Sequence, residues 1–479
     1  MNIQVTISRL HPCSSRQYDA FQNRVKPAKT ETNCSNLANE VVWMARKGGI
    51  LRQCQQHESS GDADKPKGEE MRQQLKMGTV AVLIAVLLVA TPLLGCGGGG
   101  GGGEKVITIG TITDLTGPAS PALIPLYMAS QDLVRHINED DPIPGVKLRV
   151  IAWDDKMDAS RVIPGYEWLK ERGAKVIIHP IDYVGSILKP FAERDKVPLF
   201  SLSASQPLIE PPGWVFCANS LMYQNVLTVA KWISDEWDYD NGIPKIGCIG
   251  LNASASMEAE KKLKEYCQNN PDKFEYVGGF LVPFATTTFG GQVEKLKDCD
   301  WIAFPGTDGI GMASFIGQYR ARGYTAKFFS QETLPSFWGL MVDSVGYETL
   351  DGWLCGIPAG WWSNPSPVVD MLKDLLHKYH PGEADNIMHQ SFGYVGGGVQ
   401  QYFMLQILRQ AIEEVGAENF DGQAFYNAAV KFKLTMEGYP EWGYSETKRV
   451  CLDQMRIYRL SAQTEDLVSV SDLVPIVEE

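Results

Sequence analysis

The chain has 479 residues, of which 44% are hydrophobic and 21% are charged, an ordinary composition for a soluble globular protein. Its formal charge is −13, and from residue 97 onward 32 Lys and Arg stand against 49 Asp and Glu, a formal charge of −17. A surface this acidic has no electrostatic footprint for nucleic acid, so nucleic-acid binding is excluded as a function.

Residues 1–70 show no sustained helical or strand periodicity. A secretory signal follows them, and a signal of this kind requires a free start rather than 70 polar residues ahead of it. We therefore interpret residues 1–70 as a mis-assigned start, with translation beginning at Met71, or else as a disordered N-terminal extension. Neither interpretation gives the segment a function.

Residues 71–96 have the anatomy of a signal peptide. The segment begins with two basic residues, continues with an uncharged apolar run over 77–94 and ends in the sequence LLGC. A single transmembrane anchor is the alternative, because an 18-residue run is at the lower limit for spanning a bilayer. Pro92 interrupts the run and no basic cluster follows it, which favours the signal peptide.

The sequence LLGC resembles the bacterial lipobox, whose cysteine carries the lipid and becomes the first residue of the mature protein. This resemblance implies lipidation at Cys96 and a membrane anchor. Seven glycines follow, at 97–103. A glycine segment is a flexible coil that spans about 5–6 Å times the square root of its length, roughly 15 Å here. The segment is therefore predicted to be a tether between the anchor and a folded body.

Strand and helix patterns alternate beyond the tether. Short β-branched runs predict buried strands at Val106–Ile112, Val146–Trp153, Ala174–Ile178 and Val197–Leu202. Helices are predicted at Leu126–Glu139, after the second strand through Lys170, and in a segment ending at Phe191–Lys196. This alternation predicts a parallel sheet with helices on both faces.

The pattern restarts after Asn219, which predicts a second lobe. The predicted helices are Gln224–Glu236, Met257–Gln268 and Met312–Arg322, and the strands are Lys245–Gly250, Tyr276–Leu281, Trp301–Phe304 and Lys327–Ser330. An aromatic-rich connection follows Asp351. Three further helices, Val368–Tyr379, Val399–Val415 and Gln423–Phe432, precede a closing strand at Gln454–Leu460.

Several stretches, in this order, resemble the type I periplasmic binding proteins of the leucine/isoleucine/valine-binding group. They are ITIGTITDLTGP, VKLRVIAWDD, WLKERGAKVIIHP, FAERDKVPLFSLSAS, FPGTDG and YRARGYTAKFFSQE, and the likeness extends from Lys105 to about Leu460. The resemblance implies an α/β fold with two doubly wound parallel-sheet lobes joined by three crossings. It also implies that the lobes close over a small solute and deliver it to an ABC permease with its ATPase subunits.

The expected lobe 1 is 104–222 plus 358–440, and lobe 2 is 223–357 plus 441–465. In open α/β sheets, ligands bind beyond the carboxyl ends of the strands, where loops and helix N-termini present free N–H groups. Six loops occupy that position here, namely 113–118, 180–186, 201–205, 252–257, 305–309 and 330–333.

The family's binding residues carry over to some of these loops. Ser203 and Ser205 match residues that contact a ligand carboxylate, and Glu332 matches the acidic residue that pairs with a ligand ammonium. Asp182 and Tyr183 stand where the amino-acid binders have a Ser-rich loop, and Thr307 replaces an aromatic residue. Because a carboxylate beside another carboxylate is repulsive, we expect an amide, a polyol-like or a cationic solute rather than a branched-chain amino acid.

The same residues have structural interpretations that the sequence leaves open. Ser203 and Ser205 also suit a strand-to-helix turn with an N-cap, and Glu332 could be a solvated surface residue. Four tryptophans around the lobe crossing could line the cleft or form core near the hinge. They are Trp338, Trp353, Trp361 and Trp362.

No GxSxG, GxxxxGK[ST] or HExxH motif and no CxxC or Cys/His cluster is present, and GxGxxG occurs only in the glycine-rich segment 95–103, so the sequence predicts no enzyme, cofactor or metal. The pairing of the six cysteines beyond Cys96 is left open. The predicted function is an extracytoplasmic solute-binding lipoprotein of an ABC transporter that captures a small polar solute, such as an amino acid or an amide. The alternative is a ligand-sensing binding protein that signals through a separate membrane receptor.

Overall fold

The computed structural model describes residues 104–306 and 308–478, with the backbone alone at Thr333. The predicted signal peptide, Cys96, the glycine run at 97–103 and Thr307 lie outside the described residues, so the roles predicted for them stay predictions. Among the described helices, none combines the length and the apolar character needed to cross a bilayer.

The first sheet is entirely parallel. Its strands are β1 (Lys105–Thr113), β2 (Val146–Asp154), β3 (Ala174–His179), β4 (Leu199–Ser201) and β5 (Val215–Cys217), in the spatial order β2-β1-β3-β4-β5. Seven of the nine residues of β1 are buried, because helices cover both faces of a parallel sheet. The four predicted strands are confirmed. Strand β5 was not predicted, since three buried residues are too short to show a period.

The second sheet is mixed. Its strands are β6 (Lys245–Leu251), β7 (Glu275–Val282), β8 (Trp301–Phe304), β9 (Lys327–Ser330), β10 (Leu354–Ile357), β13 (Gln454–Ser461), β14 (Asp466–Ser469) and β15 (Val474–Pro475), and a separate hairpin consists of β11 (Lys433–Thr435) and β12 (Glu441–Gly443). The order is β14-β13-β10-β9-β8-β6-β7, and β15 pairs with β13. Strands β6 to β10 are parallel, whereas β13 is antiparallel to β10, so the predicted closing strand is confirmed.

The helices pack on both faces of the two sheets. In chain order they are α1 (Ser120–Glu139), α2 (Val162–Glu171), α3 (Asp182–Asp195), α4 (Gln206–Ile209), α5 (Met222–Glu236), α6 (Ser254–Asn269), α7 (Gly290–Lys295), α8 (Gly309–Ala321), α9 (Thr333–Ser336), α10 (Trp338–Val345), α11 (Tyr347–Leu350), α12 (Pro367–Tyr379), α13 (Ala384–Gln390), α14 (Gly393–Val415) and α15 (Gly422–Ala429). This arrangement confirms the predicted fold class of two α/β lobes joined by three crossings.

Helix α14 begins six residues before its predicted start at Val399. Glycine costs about 1 kcal/mol per residue relative to alanine in a helix interior, so the sequence GYVGGG predicts a later start. In the structure these glycines lie against α1. A Cβ at Gly393 would be 2.3 Å from the Ala122 carbonyl oxygen, and one at Gly397 would be 2.6 Å from Leu126 Cγ. Close helix packing therefore outweighs the weak propensity.

The third chain segment that connects the two sheets, around residues 449–451, packs against the first sheet. Cys217 at the end of β5 pairs with Val450, and its N–H donates to the Arg449 carbonyl oxygen at 2.8 Å. The buried guanidinium of Arg449 donates from Nε to the Gly213 carbonyl oxygen at 2.8 Å. Backbone pairing and a buried side chain thus both tie this crossing to lobe 1.

The last segment of the expected lobe 2 begins at residue 441. The pairing of Cys217 with Val450 instead places residues 441–452 beside the first sheet. The chain joins the second sheet at Gln454, where β13 begins. The rest of the expected lobe boundaries stays a prediction.

The four tryptophans near the crossings are core residues. Each is 1–6% exposed, and none of them lines the cavity described below. Trp353 stacks on Phe304 with ring centroids 5.1 Å apart, and Trp338 contacts Trp361 at the same separation. The six described cysteines are likewise buried, and all are unpaired.

A buried carboxylate connects α1 to the beginning of α14. Asp132, which is 4% exposed, accepts a hydrogen bond from the Tyr394 hydroxyl at 2.7 Å and contacts His380 Nε2 at 2.9 Å, both through Oδ2. Burial raises the pKa of Asp132, although both partners favour its ionised form. The contact holds the first turn of α14 in place, which matters because that turn lines the cavity.

The Asp132→Asn variant is expected to lower the free energy of unfolding by about 1–3 kcal/mol, because it removes hydrogen bonds to a buried charged group. Urea unfolding at pH 7 measures this change. Asp343→Asn is the matched control, since the Asp343 carboxylate contacts His389 Nε2 at 3.1 Å on the surface and exposed pairs contribute little. Equal losses in the two variants would contradict the role assigned to Asp132.

Candidate functional site

A cavity of about 370 Å³ lies between the carboxyl edges of the two sheets. Five of the six predicted loops contribute residues to it. The first loop, 113–118, does not, but Ala119 directly after it does. The cavity is thus where the topology of an open α/β sheet predicts a ligand site.

Most of the cavity wall is apolar. The apolar side chains include Ala122, Leu123, Leu126, Met157, Leu202, Met222, Phe284, Phe337 and Phe392. Asp182 and Glu332 are the carboxylates among the described lining residues, and no Lys, Arg or His is among them. The site therefore combines apolar surface with an excess of negative charge. No group of residues in the described part of the chain could hold a metal ion.

The loop before α1 is a rigid turn built on two aspartates. Asp114 is fully buried, and its carboxylate accepts hydrogen bonds from the backbone N–H groups of Gly117 and, at 2.8 Å, Ala119. Asp154 accepts from the Leu115 N–H at 2.9 Å. Aspartate side chains commonly replace backbone partners in turns of this kind. The turn positions the beginning of α1 at the cavity.

Asp182 is a buried carboxylate at the beginning of α3. Its Oδ1 accepts two hydrogen bonds from Ser205, one from the backbone N–H at 2.7 Å and one from the hydroxyl at 2.8 Å. The second oxygen, Oδ2, has only a long contact of 3.5 Å with the Ser186 hydroxyl. Burial raises the pKa of Asp182, and the Ser205 bonds partly offset that rise. Asp182 thus lines the cavity, and Ser205 lies behind it.

Tyr183 is fixed by Asp155 on the neighbouring loop. The Tyr183 hydroxyl donates to Oδ2 of the buried Asp155, and burial together with this carboxylate raises the pKa of Tyr183. Lys156 and Met157 then adopt left-handed backbone angles, with φ of 57° and 59°. This conformation costs a non-glycine residue roughly 1–2 kcal/mol. The strained loop presents Met157 to the cavity.

Glu332 lies on the opposite wall, and only one of its two carboxylate oxygens has a hydrogen-bond partner. Its Oε1 accepts a hydrogen bond from Asn219 Nδ2, which also donates to the Leu202 carbonyl oxygen at 3.2 Å. The other oxygen, Oε2, is shut off from solvent and has no hydrogen-bond partner. Burial raises the pKa of Glu332 to about 7, and the Asn219 bond opposes that rise. Near neutral pH, this residue is therefore poised between its neutral and charged forms.

Helix α14 contributes a part of the site that sequence reasoning missed. Phe392, Gly393, Gly397 and Gln400 all line the cavity. Gln400 is 3% exposed, and its side-chain amide has no hydrogen-bond partner among the described residues. The glycine run at the beginning of α14 was the available signal, since adjacent glycines in a buried helix indicate close approach of another group.

Four of the predicted site residues, Asp182, Tyr183, Ser203 and Glu332, lie together at the cavity. Ser205 holds Asp182 instead of lining the cavity, and Thr307 lies outside the described residues. The roles predicted for these residues in ligand binding stay predictions.

A family model described as "Periplasmic binding protein" matches residues 106–465 of the chain. The chain belongs to this family. The family assignment made from the sequence is therefore confirmed, and membership implies a binding protein outside the cytoplasm that serves an ABC transporter. No curated protein matches the chain.

Solved structures of binding proteins share the fold at low sequence identity. A branched-chain amino acid ABC transporter protein from Thermus thermophilus with bound valine has a TM-score of 0.68 and 16% identity, covering 78% of this chain and 97% of its own. A fatty acid ABC transporter substrate-binding protein from Thermomonospora curvata has a TM-score of 0.65 and 15% identity, covering 78% and 94%.

A solute-binding protein from Rhodopseudomonas palustris BisB5 in complex with 3,4-dihydroxy benzoic acid gives a TM-score of 0.64 with 18% identity, covering 78% of this chain and 99% of its own. At such identities the likeness establishes the fold alone. The ligands of the three proteins differ in chemistry, so the solute of this binding protein has to be argued from its own cavity.

The stability of the protein without solute should depend on pH through Glu332. Its pKa of about 7 in the folded state lies above the ordinary value of about 4.3, so the folded state holds this proton more tightly than the unfolded state. The stabilisation of the folded state by this proton is fully present below pH ~4.3 and is lost as the pH rises through ~7. It amounts to a free energy on the order of a few kcal/mol. Glu332→Gln should remove this part of the dependence.

Urea unfolding between pH 4.5 and 8 measures this dependence. Glu348→Gln is the control, because Glu348 is exposed on α11. A Glu332→Gln variant with the pH profile of the unaltered protein would show that Glu332 titrates normally.

Proposed function

We propose that the protein is an extracytoplasmic solute-binding lipoprotein of an ABC transporter of the branched-chain amino acid type, without enzymatic activity. The observation that carries this proposal is the cavity between the carboxyl edges of two sheets, with polar groups that converge from both lobes. Family membership supports the transport role. The partners would be an ABC permease and its ATPase subunits.

Contacts between the lobes support a closing mechanism. Glu258 on α6 accepts a hydrogen bond from the Gln206 backbone N–H at 3.0 Å, and Glu332 accepts one from Asn219. Both bonds lie beside the cavity and join residues of different sheets. A solute that contacts both walls favours this arrangement over a more open one, which is the differential affinity that closure requires.

The charge of the cavity supports a small polar solute that is neutral and rich in donors, or cationic. Two carboxylates that face one cavity remain ionised at low cost only if a cation or several N–H or O–H donors lie between them. We propose Asp182, Tyr183, Ser203, Thr307 and Glu332 as the binding residues, with Ser205 acting through its hydrogen bonds to Asp182. An amide or an amine meets this requirement, and so does an amino acid whose carboxylate is bound elsewhere.

Native mass spectrometry of the purified protein should detect a co-purifying small molecule. Glu332→Ala should weaken the binding of that molecule by about 2 kcal/mol, the contribution of a hydrogen bond to a charged group, as measured by calorimetry. Glu348→Ala is the control and should leave the affinity unchanged. Failure of a full metabolite panel to bind, with no co-purifying molecule, would contradict solute binding in the cavity.

The lipid anchor is proposed from the sequence LLGC alone. Replacing Cys96 with Ala should release the protein from the membrane fraction or leave it unprocessed, because the thiol is the site of lipid attachment. Fractionation followed by intact-mass measurement checks both outcomes. Normal cleavage with unchanged membrane retention would contradict lipidation at Cys96.

A further inference from the structure

We propose that Asp182 occupies, from within the protein, the position that would otherwise bind a carboxylate of the solute. The cavity would then select an organic cation that has an apolar body and a protonated amino group but no carboxylate. This inference rests on the proposed function and assigns a substrate class to the same cavity.

The hydrogen-bond donors of Ser205 converge on Asp182. A backbone N–H and a hydroxyl of one residue converge on a single carboxylate oxygen, at 2.7 Å and 2.8 Å. Two such donors beside a cavity form a small anion-binding site. Here Asp182 Oδ1 has taken both donors, and Asp182 is 7% exposed. A carboxylate on the solute finds no free donor at this position and meets the charge of Asp182.

Few other groups at the cavity could bind an anion. No Lys, Arg or His lies among the described residues that line the cavity. The first turn of α6 also presents free N–H groups, at Ser254 and its neighbours. Of these, Ser254 is exposed, so solvent weakens its attraction for an anion, whereas Ala255 and Ser256 are buried at the cavity. Carboxylate binding there would survive the loss of Asp182, which the test below detects.

Side chains of the cavity wall carry acceptors that suit a cation. Glu332 Oε2 is buried without a partner, Asp182 Oδ2 has one long contact, and the Gln400 amide is unpartnered. All three side chains line the cavity. An ammonium group has three donors and no acceptor, and so matches a set of acceptors of this kind. The surrounding Leu, Met and Phe side chains suit the apolar body.

Two series of compounds with a shared apolar body test the selectivity of the full-length protein by calorimetry at pH 8. One series is 3-methylbutylamine, leucine and 4-methylpentanoate, and the other is 2-phenylethylamine, phenylalanine and 3-phenylpropionate. The amine of at least one series should bind at least tenfold more tightly than its amino acid, and the acids should not bind. Equal or tighter binding of an amino acid or an acid would overturn the inference.

The Asp182→Ala variant should free the Ser205 donors. We expect the affinity for the amino acid to rise at least tenfold relative to the amine of the same series. Asp158→Ala is the matched control, because Asp158 also accepts from the N–H and hydroxyl of one serine, Ser160, at 2.9 Å and 2.7 Å, but does not line the cavity. No gain for the amino acid in a folded Asp182→Ala protein would overturn the inference.

A second variant keeps the test decisive if Asp182→Ala does not fold. Asp182→Asn retains an oxygen that accepts from Ser205 but removes the charge, so the amine should bind at least fivefold more weakly while the acids remain excluded. Binding of an acid by this variant, or an unchanged affinity for the amine, would contradict the assignment.

Different results would contradict the proposed function and the inference about Asp182. If an amino acid or an acid binds as tightly as the amine of its series, or if members of the wider metabolite panel bind but neither amine does, the inference about Asp182 is wrong and the proposed function stands. If no small molecule binds at all, both are wrong.

Discussion

Parallel strand pairing is the constraint on which the rest of this structure depends. Consecutive parallel strands need a crossover, here a helix, so the parallel strands of each sheet end at the same edge and the helices that follow them begin there. Ile109 of β1 lies beside Val150 and Val176 of the neighbouring strands, and burial on both faces holds the sheet between its helices. Residues distant in the chain, such as Asp182, Glu332 and Gln400, thereby line one cavity.

The carboxylates around this cavity differ in how many hydrogen bonds they accept from the protein. Asp114 and Asp182 each accept two hydrogen bonds from nearby turns, and Asp155 is paired with Tyr183. Glu332 keeps one oxygen buried without a partner, although buried polar atoms nearly always have one. This wall of the cavity therefore keeps hydrogen-bonding capacity that the described residues do not use.

The fold itself does not determine the solute. Proteins described with valine, with fatty acid transport and with 3,4-dihydroxy benzoic acid share this architecture with the chain at 15–18% identity. Specificity in such a fold depends on a few side chains at the cavity. In this chain those side chains have an excess of hydrogen-bond acceptors. The shape of the cavity around them is set by the strained loop at Lys156 and Met157 and by the close packing of α14 on α1.

The sequence by itself determined the alternation of strands and helices, the family, and five of the loops that contribute to the cavity, because buried β-branched runs and helical periods are local signals. It also identified Asp182 and Glu332 as residues of interest. Tertiary structure decided the rest. The start of α14 at Gly393 depends on contact with α1, and the interaction of Asp182 with Ser205 depends on how β3 and β4 are placed side by side. The unpaired oxygen of Glu332 results from burial between distant segments, and such environments arise only when the chain is folded.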